Sequence, residues 1–83
     1  MTIIQLKFVG MALATEIRTW DTSKMQATQE PAMKTLKRLS GLDTYLVFGK
    51  GKQGRMNAFN WVNEALELNG MNTISLERKK NQS

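Results

Sequence analysis

The chain has 83 residues, of which 41% are apolar, and a formal net charge of +5 from 12 Lys and Arg against seven Asp and Glu. A domain of this size buries only about 60% of its unfolded surface, which leaves little room for a deep catalytic cleft. The lack of cysteine and histidine excludes disulfides, thiolate or imidazole metal sites and nucleophile–histidine pairs. We therefore expect a non-enzymatic protein without a cofactor or a metal.

The N-terminal third predicts two strands. Ile4, Leu6 and Phe8 alternate with polar residues, which is typical of a strand with one buried face and predicts a strand over about 2–9. Gly10 interrupts this pattern. A second alternation predicts a strand over about 11–20 that returns as a hairpin, with a helix over 11–18 as the alternative.

The middle of the chain predicts a helix followed by a strand. Pro31 suits the first turn of a helix, and the apolar residues after it recur every three or four positions until Gly41. This spacing predicts a helix over about 30–40. The short aromatic and β-branched run over 44–48 ends in glycine and predicts a buried strand.

The remaining pattern predicts a second helix over about 56–69 and a last strand over about 71–77. The element order is then ββαβαβ, which predicts an α+β fold: a four-stranded mixed sheet with two helices packed on one face. We expect one domain over residues 1–77, followed by a short basic tail over 78–83.

Residues 49–55 contain three glycines and three cations, Lys50, Lys52 and Arg55. Glycines let backbone N–H groups approach an anion, and a following helix directs its positive end to the same place. If the strands before and after the second helix are parallel neighbours, their ends meet at one sheet edge. That arrangement would bring the tail cations to this loop: Arg78, Lys79 and Lys80.

The spacing Gly49-x-Gly51-x-x-Gly54 also satisfies the dinucleotide-binding fingerprint between a strand and a helix. A dinucleotide fold needs several strand–helix units, whereas this chain offers one, so we expect no nucleotide cofactor. The simpler interpretation of the loop is a glycine-rich turn that its charges keep soluble.

A second basic set, Lys34, Lys37 and Arg38, lies at helical spacing and either extends a nucleic-acid-binding surface or only solvates its helix. Among the aromatic residues, Trp20 and Tyr45 are candidates for base stacking or for a partner contact. The three phenylalanines fit core positions: Phe8, Phe48 and Phe59.

These patterns favour a small basic cytoplasmic protein that binds RNA or single-stranded nucleic acid through phosphate contacts from the loop and the tail. The alternative is a small inhibitor or adaptor, of the kind that phages and mobile elements encode, which blocks a host toxin, nuclease or defence complex, with or without RNA. No apolar run approaches 18 residues, so we expect no membrane partner. The edge of the predicted hairpin would also allow a homodimer.

Overall fold

A computed structural model describes residues 2–20 and 31–76 of the chain. These residues form four helices: α1 (Ile3–Thr19), α2 (Pro31–Ser40), α3 (Thr44–Val47) and α4 (Gly51–Leu68). Neither described stretch contains a β-strand. The predicted α+β fold with a four-stranded mixed sheet is therefore wrong, and the described part of the protein is helical.

Helix α1 replaces the hairpin that was predicted over 2–9 and 11–20. It starts with a capping box, in which the Gln5 N–H donates to Thr2 Oγ1 at 3.1 Å and the Thr2 N–H donates to Gln5 Oε1 at 2.8 Å. Two threonines that favour strands are accommodated because their hydroxyls donate to carbonyls one turn earlier. Thr15 bonds to Met11 at 3.1 Å, and Thr19 bonds to Thr15 at 3.0 Å.

The hairpin prediction failed because α1 is apolar on two sides. One stripe is buried: Leu6, Val9, Leu13 and Ile17. A second stripe is exposed: Ile4, Phe8 and Met11. Ile4 and Phe8 belong to the exposed stripe, whereas Leu6 between them belongs to the buried stripe. Two rows of apolar residues on one helix therefore produce the alternation that is typical of a strand.

Gly10 lies inside α1 and permits a close approach by the residues that follow α4. A Cβ at this position would lie 2.6 Å from Ile74 Cδ1 and 2.9 Å from Val62 Cγ1. The Asn63 side chain holds the same segment, because it accepts from the Ile74 N–H at 2.8 Å and donates to the Ile74 carbonyl at 3.0 Å. Residues 71–76 therefore lie across α1 and α4, and the strand predicted over 71–77 is wrong for them. Residue 77 lies outside the described residues.

The strand predicted over 44–48 is also wrong, because Thr44–Val47 form the short helix α3. The Asp43 side chain caps this helix and accepts from the Leu46 N–H at 3.3 Å. The buried Thr44 hydroxyl donates to the Met33 carbonyl at 3.1 Å and so joins α3 to α2. Helix α2 itself matches the helix that was predicted over 30–40.

Helix α4 starts at Gly51, five positions before the predicted start at 56, because the glycine-rich stretch forms its first turns. Gly49 has a φ of +102°, in the left-handed region that favours glycine. A Cβ at Gly54 would overlap the carbonyl oxygen of Gly49. Gly51 has a φ of +70°, in the same left-handed region. All three glycines of the fingerprint therefore serve the backbone turn into α4.

The core lies where α1 packs against α4 on one side and against α2 on another. Phe48 and Phe59 are buried there as predicted, whereas Phe8 is 63% exposed and its predicted core position is wrong. The remaining core side chains are all aliphatic or methionine: Leu6, Val9, Leu13, Ala14, Ile17, Ala32, Met33, Leu36, Ala58, Val62 and Leu66. One apolar stripe of α1 is thus buried in the core, and the other is exposed on the surface of the described residues.

Candidate functional site

Arg55, a predicted phosphate contact, is completely buried. Its Nε donates to Glu16 Oε1 at 2.9 Å, and its Nη1 donates to the Gly51 carbonyl at 3.0 Å. The guanidinium carbon also lies 4.8 Å from the centroid of the Trp20 ring, which is within cation–π distance. Arg55 holds α4 against α1 from inside the protein, so we leave it out of any binding surface.

Glu16 completes this cluster from α1. Its second carboxylate oxygen accepts from the Ala32 N–H at 3.1 Å, at the start of α2. The carboxylate therefore contacts both α2 and α4, and it satisfies an N–H group in the first turn of α2 that has no partner within the helix. No local sequence pattern indicates the role of Glu16, because its partners Ala32 and Arg55 are distant in the chain.

The two aromatic candidates are partly buried. Arg55 covers one face of the Trp20 ring, so less of the ring is accessible for stacking on a base. Tyr45 packs against the core, and its hydroxyl is buried without a hydrogen-bond partner among the described residues. Phe8, which was predicted to lie in the core, is the aromatic residue that α1 exposes.

Of the loop cations and the tail cations that were predicted to lie together, the structure describes only the loop cations. Lys50 is exposed immediately before α4, and Lys52 is half-buried in its first turn. Arg78, Lys79 and Lys80 lie outside the described residues. The parallel strand pair that would have placed them beside the loop does not occur in residues 2–20 and 31–76.

The exposed charge on α1 and α2, all of whose residues are described, is entirely positive. The only acidic residue on the two helices is the buried Glu16. The cations are all exposed: Lys7 and Arg18 on α1, and Lys34, Lys37 and Arg38 on α2. The exposed surface of these two helices therefore carries a positive charge.

The exposed stripe of α1 is next to an apolar pocket. Ile4, Phe8 and Met11 are 59%, 63% and 47% exposed and lie three or four residues apart, which places them on one side of the helix. A pocket of about 210 Å³ opens beside Phe8, between α1 and α2. Six of its eight lining residues are apolar: Phe8, Val9, Ala12, Pro31, Ala32 and Leu39.

Cations border this apolar surface on both sides. On α2, Lys34 follows Pro31 by three positions and Arg38 follows Thr35 by three, which makes each cation a surface neighbour of a pocket residue. On α1, Lys7 lies between Ile4 and Met11 at three- and four-residue spacing. We call this surface the α1–α2 face and define it as the pocket together with Ile4, Phe8, Met11, Lys7, Lys34 and Arg38.

The described residues contain neither a membrane-spanning helix nor a metal-binding cluster. None of their helices has the length and apolar character that crossing a membrane requires. They also contain no group of three acidic side chains placed to bind a metal ion. In comparisons with known proteins, no family model, curated protein or solved structure matches the chain.

Proposed function

We propose that this protein is a small non-enzymatic inhibitor or adaptor that docks on an acidic surface of another protein through the α1–α2 face. The observation that carries this proposal is the exposed stripe of Ile4, Phe8 and Met11 beside an apolar pocket. The exposed charged residues of α1 and α2 around this surface are all cations. Contiguous apolar surface with a polar rim is typical of protein–protein interaction sites. We propose the cytoplasm as the place of action, since a chain without cysteine does not depend on an oxidising compartment.

The composition of the face supports binding to a protein more than binding to a small molecule. Pockets for drug-sized ligands span roughly 300–1,000 Å³ and enclose most of the ligand. The pocket here is smaller, about 210 Å³, and it lies next to exposed apolar side chains. An aromatic anchor such as Phe8 is typical of the centre of a protein interface, and bordering charges steer association and select the partner.

Affinity capture from the cells that make this chain tests the proposal. The bait is the full chain, and the lysate is treated with nuclease so that proteins held only through nucleic acid are removed. We expect a protein that the wild-type chain retains and the Phe8→Ser variant loses. Leu46→Ser is the matched control, because Leu46 is 82% exposed but lies on α3, and it should retain the same protein. Capture that depends on neither residue, or that nuclease abolishes, would contradict the proposal.

Nucleic-acid binding remains a second candidate because of the start of α4. Its first turn has no side-chain cap and no acidic residue, and Lys50 is exposed directly before it. The positive end of a helix favours a phosphate at such a position. In this second function, Lys50 and the exposed cations of the helices would contact phosphates, and the buried Arg55 would not.

The salt dependence of binding to single-stranded RNA tests this second candidate. Six cations are exposed in the described part of the chain: Lys7, Arg18, Lys34, Lys37, Arg38 and Lys50. If all six contact phosphates, the slope of log affinity against log salt should be roughly −4. A slope near zero with random RNA would exclude phosphate-mediated binding.

A further inference from the structure

We infer that the occupant of the α1–α2 face is an acidic amphipathic helix, which inserts one bulky apolar side chain into the pocket between α1 and α2. The inference rests on the proposed function and specifies the partner that the same surface accepts. Three features carry it: the volume of the pocket, the spacing of the exposed apolar side chains, and the sign of the charges that border them.

The volume of the pocket fits a single side chain. An apolar cavity of about 150 Å³ in another protein accommodates benzene. The pocket here is about 210 Å³ and is lined mainly by apolar side chains, so a leucine, methionine or phenylalanine side chain of a partner could enter it. Phe8 lies at its edge and would contact the inserted side chain.

The spacing of the exposed stripe fits a helix. Ile4, Phe8 and Met11 cover two turns of α1, a length of about 10 Å. A helix that lies in an apolar groove presents anchors at i, i+3 or i+4, and i+7, which cover the same length. One anchor would fill the pocket, and its neighbours a turn away would contact the exposed side chains of α1.

The charges select an acidic helix over a second copy of this chain. Lys34 and Arg38 border the groove on the α2 side, and Lys7 borders it on the α1 side. Because α1 and α2 expose no acidic residue, a second copy docked through the same face would bring the like charges of these two helices together. A helix with Asp and Glu on both sides of its apolar stripe would pair with these cations.

Selection from a displayed peptide library tests this inference on the full chain. The library is a helical scaffold that is randomised on one side, and binders are selected against the wild-type protein and counter-selected against Phe8→Ser. We expect enriched sequences with apolar residues at i, i+4 and i+7 that are flanked by Asp or Glu. A synthetic peptide of the enriched sequence should bind Phe8→Ser at least roughly tenfold more weakly than wild type.

A charge-reversal experiment provides a second readout that does not depend on Phe8. The double variant Lys34→Glu with Arg38→Glu should bind the acidic peptide roughly tenfold more weakly and should bind its Lys-substituted counterpart more tightly. Lys37→Glu is the matched control. It removes a cation from the same helix, but Lys37 is no surface neighbour of Pro31 or Thr35, so affinity should change less than about twofold.

Several results would overturn the inference. Enriched peptides without an acidic bias, or peptides that bind Phe8→Ser as well as wild type, would contradict it. Sedimentation that shows a wild-type dimer and a Phe8→Ser monomer would assign the face to a second copy. Phe8-dependent binding to vesicles of phosphatidylcholine and phosphatidylserine, without peptide binding, would assign it to a lipid surface. If Phe8-dependent capture of a protein from lysate persists while acidic helices fail to bind, the inference fails and the proposed function stands.

Discussion

Glu16 and Arg55 are 39 residues apart in the chain and form a buried ion pair, with 2.9 Å between Glu16 Oε1 and Arg55 Nε. Their side chains are 5% and 0% exposed. Burial of two charges is tolerated only when their remaining hydrogen-bonding atoms find partners. The Ala32 N–H, which donates to Glu16 Oε2, and the Gly51 carbonyl, which accepts from Arg55 Nη1, are two such partners. This one pair thereby joins α1, α2 and α4.

The substitution Glu16→Ala should strongly destabilise the protein. It would leave the Arg55 guanidinium buried without its carboxylate and would remove the acceptor of the Ala32 N–H. Loss of one partner of a buried ion pair costs about 3–5 kcal/mol. Urea denaturation followed by circular dichroism should show this decrease in the free energy of unfolding.

Glu64→Ala is the matched control for this measurement, because Glu64 is exposed on α4. It should change stability by no more than about 0.5 kcal/mol. The double variant Glu16→Met with Arg55→Met removes both charges, and it should be less destabilised than the sum of the two single variants. Additive losses would contradict an energetic coupling between Glu16 and Arg55.

Local signals in the sequence predicted α2 and could have predicted α1. Pro31 and Gly41 correctly indicated the two ends of α2. Thr2 and Gln5 have the spacing of a capping box ahead of an apolar run, which indicates the start of a helix. The alternation of Ile4, Leu6 and Phe8 outweighed this signal, and it arises from two helical stripes on one helix.

The candidate site could be predicted only in part, because its key contacts join distant segments. The exposed position of Lys34, Lys37 and Arg38 follows from helical spacing on α2. The burial of Arg55 depends on Glu16 of another helix, and no local pattern marks that pairing. Phe8 resembles a core residue in sequence, and only the packing of α1 reveals that its stripe is exposed.

Gly54→Ala should prevent normal packing at the start of α4. The added Cβ would overlap the Gly49 carbonyl oxygen, which is backbone and cannot move aside as a flexible side chain could. Gly70→Ala is the matched control: its Cβ would meet no atom within 4 Å, although its φ of +74° makes alanine unfavourable by about 1–2 kcal/mol. Thermal unfolding should show a clearly larger loss for Gly54→Ala, and equal losses would contradict the steric explanation.

Asn63→Ala should release residues 71–76 from α4 while the helices stay folded. The substitution removes the two hydrogen bonds between the Asn63 side chain and the Ile74 backbone. Each such bond contributes about 0.5–1.5 kcal/mol, so the Ile74 N–H should exchange with solvent roughly tenfold faster or more. Hydrogen exchange measured by NMR tests this expectation. Asn60→Ala, at an exposed position on the same helix, should leave the exchange of Ile74 unchanged.

Lys50→Ala and Arg55→Ala should separate RNA contact from structural support within the glycine-rich stretch. Both variants remove one positive charge, but Lys50 is exposed and Arg55 is buried against Glu16. We expect Lys50→Ala to change stability by at most about 0.5 kcal/mol, whereas Arg55→Ala should lose about 3–5 kcal/mol.

Because an unfolded variant also stops binding, loss of RNA binding in Arg55→Ala alone gives no support to a phosphate contact. A folded Lys50→Ala variant with weaker RNA binding and a shallower salt slope would support a phosphate contact by Lys50. Unchanged binding would exclude Lys50 from the RNA contact.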